Sequence, residues 1–293
     1  MKLKLQSAME YLMTYGWAIL VIAVVLGVLY SLGIFSPSNF APKAQPGSCQ
    51  VFRPNGPGTD YELNLEGTCS GELPEYAAYM NGGTNRQIYM PGMNNFTKID
   101  NFTISFLVNP TAGTSGAWPK YVGFDSCGGG GGWVVSGGEY NNPPGVGISF
   151  SAPSPNCWSF GGPSVQINAD AWTFIAYTVD IPGNSIVVYK NGKFGGASSV
   201  GGTYYSGPFA FGIGYESMIM NIANVQFYDG SLSANDVANL YSEGIGGAPI
   251  ALQDLVGWWP LNGNANDYSG NNNNGVPSNV IFTGTWQSGY TAP

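Results

Sequence analysis

The chain has no histidine and few charges: 9 Lys plus Arg and 17 Asp plus Glu, or 9% of 293 residues. Globular chains usually carry about 25%. Without imidazole there is no histidine ligand for zinc and no ordinary general base near neutral pH. The cations are scattered (Lys2, Lys4, Lys43, Arg53, Arg86, Lys98, Lys120, Lys190 and Lys193), and the formal net charge is −8. Phosphate binding needs clustered basic residues, so nucleic acid is excluded as a partner. The glycine run at 128–132 lacks the lysine and following helix of a phosphate loop, which excludes that mode of nucleotide binding.

What is abundant points to β-structure. Gly (44) and Pro (20) are frequent, yet hydrophobic residues reach 44% and aromatics 14%. A disordered chain would not hold so many apolar side chains. Frequent turn residues between apolar runs predict many short strands.

The charges are also unevenly placed: none lies between Glu10 and Lys43. Residues 11–35 are uncharged and mostly apolar. As a helix this stretch reaches roughly 37 Å, enough for a hydrocarbon core of about 30 Å. A secretory signal would be shorter and followed by a small-residue cleavage site. Lys2 and Lys4 favour a cytoplasmic N-terminus. The string MKLKL-QSAMEYLMTYGWAILVIAVVLGVLYSLGIF resembles the class III signal of archaeal type IV pilins and pilin-like proteins. That resemblance implies cleavage between Leu5 and Gln6, with Glu10 at the fifth mature position and the helix kept as a filament core. Leu5 departs from the small residue more usual before the cut. A carboxylate at the edge of an apolar helix is costly unless paired. The new amine at Gln6 of a neighbouring subunit would pair Glu10. The plainer reading sets Glu10 in the headgroup layer of a single anchor.

Residues 36–48, SPSNFAPKAQPGS, hold three prolines and no apolar period, and read as an extended stalk. Cys49, Cys69, Cys127 and Cys157 follow, none in a C-x-x-C spacing. Outside a membrane they are expected as disulfides, with Cys49–Cys69 and Cys127–Cys157 the favoured of three pairings. The first would staple a hairpin over residues 49–75.

Beyond residue 75 strand alternation recurs. Phe102, Ile104, Phe106 and Val108 share one face of NFTISFLVNP. In AWTFIAYTVD both faces are apolar, which predicts a central strand. Asn191-Gly192 between SIVVYK and KF is a strong hairpin signal. Other strand candidates are 77–81, 87–90, 146–150, 208–213, 220–228, 255–261 and 279–283. One helix is predicted at SLSANDVANLYSEG, with Ser233 as N-cap, Asp236 completing a capping box and Gly244 ending it.

These pieces, in this order, resemble the laminin-G-like, concanavalin A-like jelly roll over about 150 residues. The fold class implied is mainly β: an N-terminal transmembrane helix (1–35), a stalk (36–48), the hairpin (49–75) and a β-sandwich over 76–293. LVGWWPLNGNANDYSGNNNNG (255–275) looks like the opening strand and loop of such a domain. Here it stands last, so residues 255–283 are expected to complete the sandwich, with Trp258 or Trp259 filling the core.

Catalysis is not expected. Jelly-roll glycosidases need two carboxyls a short fixed distance apart. Only Asp60 and Glu62 are spaced i, i+2, and they fall in the hairpin; Asp125, Asp180, Glu216 and Asp229 have no such partner. Binding fits better: loop aromatics beside amides suit neutral glycans. The candidates are Trp133, Tyr140 and Trp158, with Trp118, Tyr204 and Tyr205 behind them. No cofactor is required. Calcium is the one metal considered, at Asp267 in the Asn-rich loop, where Asx-turns explain the same composition. Asn95 and Asn101 open glycosylation sequons. The reading is a pilin-like surface protein whose outer domain recognises glycans or proteins. Its partners are the membrane and, in a filament, like subunits. The alternative is a single-pass anchored envelope protein that does not polymerise.

Overall fold

A computed structural model of the chain describes residues 15–28, 74–82, 87–95, 100–111, 120–124, 132–137, 145–150, 160–200, 211–215, 219–291 and 293. Residues 15–28 form a helix, α1. At 1.5 Å per residue it spans about 20 Å. Among the described residues no helix is long and apolar enough to cross a membrane. The flanks of the expected 11–35 span, the stalk, the 49–73 part of the hairpin and all four cysteines lie outside the described residues. The helix and the β-structure belong to two compact units.

The strands are β1 (Ala77–Asn81), β2 (Gln87–Met90), β3 (Asn101–Pro110), β4 (Lys120–Phe124), β5 (Trp133–Ser136), β6 (Gly145–Phe150), β7 (Phe160–Gln166), β8 (Thr173–Asp180), β9 (Ser185–Lys190), β10 (Lys193–Ser198), β11 (Phe211–Tyr215), β12 (Ile219–Tyr228), β13 (Leu255–Trp259), β14 (Val276–Ser278) and β15 (Ile281–Thr283). A 3₁₀ turn, Pro91–Asn95, follows β2, and helix α2, Ala234–Ser242, follows β12. One sheet has the order β10-β9-β8-β3-β12-β1-β15, with β13 also pairing β12. The second has the order β14-β2-β11-β4-β5-β6-β7. The result is a mainly β, two-sheet sandwich.

Period-2 alternation explains the core. Phe102, Ile104, Phe106 and Val108 of β3 face the second sheet in one buried cluster. Leu107 points the other way, into a second cluster beneath α2. Strand β8 lies between β9 and β3 and contributes to both: Ile175, Tyr177 and Val179 inward, Phe174 and Ala176 outward. The β9–β10 turn has φ of 49° at Asn191 and 70° at Gly192, the left-handed pair that a type I′ hairpin requires. The Asn191 Oδ1 also accepts from the Phe174 N–H at 2.9 Å.

The second sheet carries the core aromatics in register. Met90, Phe211 and Phe124 lie side by side on β2, β11 and β4, and Trp133 pairs with Phe150 across β5 and β6. Trp133 is fully buried and stacks on Phe102 of the opposite sheet, with ring centroids 4.6 Å apart and planes 16° apart. On the outward face, register aligns Tyr89, Gly212, Gly123, Val134, Ser149 and Gly161. A Cβ at Gly123 would collide with the Trp133 carbonyl, so only glycine allows β4 and β5 to approach this closely.

Helix α2 starts with the capping box: Ser233 Oγ accepts from the Asp236 N–H at 3.2 Å, and Asp236 Oδ2 accepts from the Ser233 N–H at 3.0 Å. Val237 and Leu240 face the sheet, and Gly244 follows at φ 74°. The C-terminal residues enter both sheets: β13 pairs β12, β14 pairs β2, and β15 pairs β1. Trp259 is buried between the sheets, 5.5 Å from Phe211 ring to ring. Trp286 is buried in the second cluster, where Trp172 Nε1 donates to its carbonyl at 2.8 Å.

Burial raises the phenol pKa of Tyr121, Tyr177 and Tyr228 above the ordinary 10. In the unfolded chain these groups ionise near pH 10, while in the fold they stay neutral. Unfolding therefore releases protons above about pH 10. Stability present below that pH is then lost as pH rises, by up to about 1.4 kcal/mol per pH unit for each tyrosine. A phenolate absorbance titration should show these groups ionising only together with loss of the fold. Smooth ionisation of every tyrosine in the folded protein would contradict their burial.

Candidate functional site

Among the described residues strand β13 leaves one edge without a partner strand, and unpaired carbonyls there need donors. The Asn-rich loop supplies them with side chains. Asn271 Nδ2 donates to the carbonyls of Leu255 (2.9 Å) and Val256 (3.1 Å), and Asn273 Nδ2 donates to Val256 at 2.9 Å. The Tyr268 N–H reaches the Trp258 carbonyl at 2.8 Å. Asp267 holds the loop together. Its Oδ1 accepts from the backbone N–H groups of Trp258 (3.0 Å) and Ser269 (2.9 Å). Its Oδ2 accepts from Ser269 Oγ (2.9 Å) and the Asn273 N–H (2.8 Å).

That geometry fits the Asx-turn reading of the loop better than the calcium one. Both oxygens of Asp267 face the positive ends of N–H and O–H dipoles, where a cation would be repelled. Calcium takes six to eight oxygens. Among the described residues no group of three or more His, Cys, Asp or Glu side chains could hold a metal ion.

Beside the loop lies an open cleft of about 410 Å³, lined by Asp229, Gln253, Asp254, Leu255, Val256, Asn271 and Asn273. Asp229 follows the end of β12, and its N–H donates to the Asp254 carbonyl at 2.8 Å. The Asp254 carboxylate accepts from Gln253 Nε2 at 3.1 Å. The Asp229 carboxylate meets no partner among the described residues, and no lysine or arginine lines the cleft. Its amide nitrogens on Asn271 and Asn273 are occupied by β13, so the cleft offers mainly oxygen acceptors over an aliphatic floor. Leu252 stands exposed in the turn that leads into it. Sequence spacing leaves Asp229 isolated; the fold brings Asp254 to it across the turn before β13.

The other expected site residues scatter. Trp133 is not a loop aromatic. The alternation of β5 turns Trp133 and Val135 into the sandwich, so the ring cannot stack on a ligand. The glycine run before it reads as a loop, but β5 begins directly after Gly132. Tyr140 and Trp158 lie outside the described residues, as do Leu5, Gln6 and Glu10. Asn101 is exposed at the first residue of β3; its amide, oriented to donate, reaches Asp180 Oδ1 at 3.0 Å and the Asp100 carbonyl at 2.8 Å. Asn95 closes the 3₁₀ turn. Asp180 closes the turn before β9, where its Oδ1 accepts from the Gly183 N–H at 2.7 Å.

A family model described as the concanavalin A-like lectin/glucanases superfamily matches residues 81–238, more than half of the sequence, and the chain belongs to that superfamily. No curated protein matches it. Among solved structures it is similar to a suspected carbohydrate-binding protein from Bacteroides ovatus, with a TM-score of 0.50 and 16% identity over 72% of this chain. The match spans 60% of that protein's length. It is also similar to the heptameric SAP-like pentraxin of Limulus polyphemus, with a TM-score of 0.45 and 14% identity over 59% of this chain and 84% of that one. The ligand-binding domain of botulinum neurotoxin serotype D, solved with N-acetylneuraminic acid, matches with a TM-score of 0.41 and 14% identity over 52% of this chain and 38% of that one. At 16% identity the likeness to the Bacteroides protein is one of fold alone.

The loop geometry predicts distinct effects for two Asp267 variants. Asp267→Ala leaves three backbone N–H donors (Trp258, Ser269 and Asn273) without an acceptor, while Ser269 Oγ keeps the Val256 carbonyl, and should lower stability by about 2–4 kcal/mol. Asp267→Asn keeps one oxygen but turns an NH₂ toward N–H donors, so it should recover less than half of the loss. Denaturant unfolding checks both. A melting temperature raised by millimolar calcium in the parent and unaffected by calcium in Asp267→Ala would reinstate the metal.

Proposed function

We propose that the chain is a membrane-anchored, pilin-like surface protein whose lectin-type sandwich recognises neutral glycans outside the cell. The observation that carries this reading is the uncharged 11–35 run standing ahead of a concanavalin A-like domain. In this layout residues 1–35 are the signal and membrane helix and 36–48 the stalk. Residues 49–75 form the disulfide-stapled hairpin, and 76–293 the outer domain. The four cysteines pair in the oxidising exterior. Glu10 pairs with the Gln6 amine of a neighbour in a filament, and the N-terminal Lys2 and Lys4 stay cytoplasmic until cleavage.

Neutral glycans suit an acidic, weakly charged surface better than polyanions, which the net charge of −8 repels. Tyr140 and Trp158 remain as stacking candidates, now that Trp133 belongs to the core. The work is binding rather than catalysis. Asp180 closes a turn and Asp267 a loop, so both serve the fold, and the carboxylates that share a cleft are Asp229 and Asp254.

Two measurements test the two halves of the reading. Mass spectrometry of membrane-derived protein should find Gln6 as the first residue; an intact Met1 or Lys2 terminus would favour the plain anchor. A neutral-glycan array should bind the protein and lose signal several-fold with Trp158→Ala or Tyr140→Ala. A blank array with and without calcium would remove glycan recognition.

A further inference from the structure

Two unexplained features of the sandwich are chemically complementary. The first is the tip of the β9–β10 hairpin. Lys193 is exposed and meets no partner among the described residues, whereas Lys190 Nζ is engaged by the Gln166 carbonyl at 2.7 Å. Phe194 beside it is 67% exposed, the most exposed large apolar residue of the described sandwich. Both the ring and the ammonium face solvent on a turn that is firmly built. Asn191 is bonded to Phe174, and Tyr241 of α2 packs against Gly192. The knob is therefore held rigidly in place.

The second feature is the cleft between the end of β12 and the start of β13. It presents Asp229 and Asp254 without a cation among the described residues, and Leu252 at its entrance is 61% exposed. A cationic–aromatic knob and an acidic cleft with apolar edges satisfy each other's charge and bury each other's exposed surface.

They cannot meet within one molecule. Lys193 pairs with Lys190, which lies level with Ile175 of β8. Tyr228, just before Asp229, lies level with Thr103 of β3 and hence with Thr178, further along β8. Knob and cleft are separated by three to four residues, about 10–14 Å, along the strands and by four strand spacings, roughly 19 Å, across the sheet. Two complementary patches at opposite ends of one sheet make a heterologous, head-to-tail contact.

We infer that the outer domain self-associates head to tail, with Lys193 and Phe194 of one copy seated in the Asp229–Asp254 cleft of the next. A knob of two side chains buries far less than the roughly 1,200 Å² of a stable interface. The contact is weak between free molecules and gains strength where many copies are held close together. It stands apart from the glycan reading. Anchoring at a membrane would reinforce it without being required.

The test uses the full-length chain in detergent micelles, mixing unlabelled and ¹⁵N-labelled protein and joining amines to carboxylates with a carbodiimide. Mass spectrometry should find mixed-isotope peptides linking Lys193 to Asp229 or Asp254. Their yield should fall about tenfold in 1 M salt, where screening reaches within about 3 Å. Phe194→Ser keeps both reacting groups and should cut the yield several-fold. Mixing Lys193→Glu protein with Asp229→Lys protein should produce the reversed link, in which the introduced carboxylate of the first variant is joined to the introduced amine of the second. Absence of the mixed-isotope link would overturn the proposal. So would a yield indifferent to both salt and Phe194→Ser, the result expected if the N-terminal helices alone hold copies together.

Discussion

The stacking of Trp133 on Phe102 ties one sheet to the other, and much of the interior is arranged around it. The indole also meets Phe124, Phe211 and Phe227 with centroids 5.7 to 6.2 Å apart. Phe211 in turn reaches Trp259, so the aromatic group joins β3, β4, β5, β11, β12 and β13. Large rings in edge and offset contact fill a wide intersheet space with few atoms and strict geometry. The cost is visible as well: Trp133 Nε1 and Tyr121 Oη meet no hydrogen-bond partner among the described residues. Burying such groups is tolerable only where the surrounding apolar contact outweighs it.

The end of the chain is woven into this scheme. Strands β13, β14 and β15 come from a run of about thirty residues and enter both sheets, so the sandwich depends on pairings between distant parts of the sequence. Asp267 and its asparagines stand in for a strand that β13 lacks. Side-chain amides there satisfy carbonyls that would otherwise recruit another chain. The same loop walls the acidic cleft, so the device that finishes the sheet also shapes the surface beside it.

A related polar network secures the α2 side. Asn224, at φ 49° in the β12 bulge, receives Trp258 Nε1 and Gln226 Nε2 on Oδ1 and gives its own amide to the Gly247 carbonyl at 3.0 Å. The bulge turns a polar residue to where the loop after α2 and strand β13 both need a partner. Helix, loop and strand are thus fixed to one position of one strand, and the Asp254 wall of the cleft follows from it.

Strands whose alternation stands out locally were legible in the residues. Phe102 to Val108 predicted β3, the doubly apolar 172–180 run predicted the central β8, and Asn191-Gly192 predicted its hairpin. Ser233, Asp236 and Gly244 marked both ends of α2. Short-range periodicity and capping chemistry act over a few neighbours, so sequence alone determines them. Strands β4, β5, β7 and β14 were not legible, because glycine or proline interrupts β4, β7 and β14 and glycines flank the short β5, and neighbouring strands, not local preference, keep them extended. For the same reason Trp133 looked like a loop ring, and the Asp267 loop was open to both calcium and Asx-turns. Which way a side chain faces in a glycine-flanked strand, and whether a carboxylate meets donors or a cation, depend on residues far away in the chain. Likewise, nothing local joins Asp229 to Asp254 or sets them at the opposite end of the sheet from Lys193. Tertiary structure alone decided those, because antiparallel register converts distances in sequence into positions on a surface.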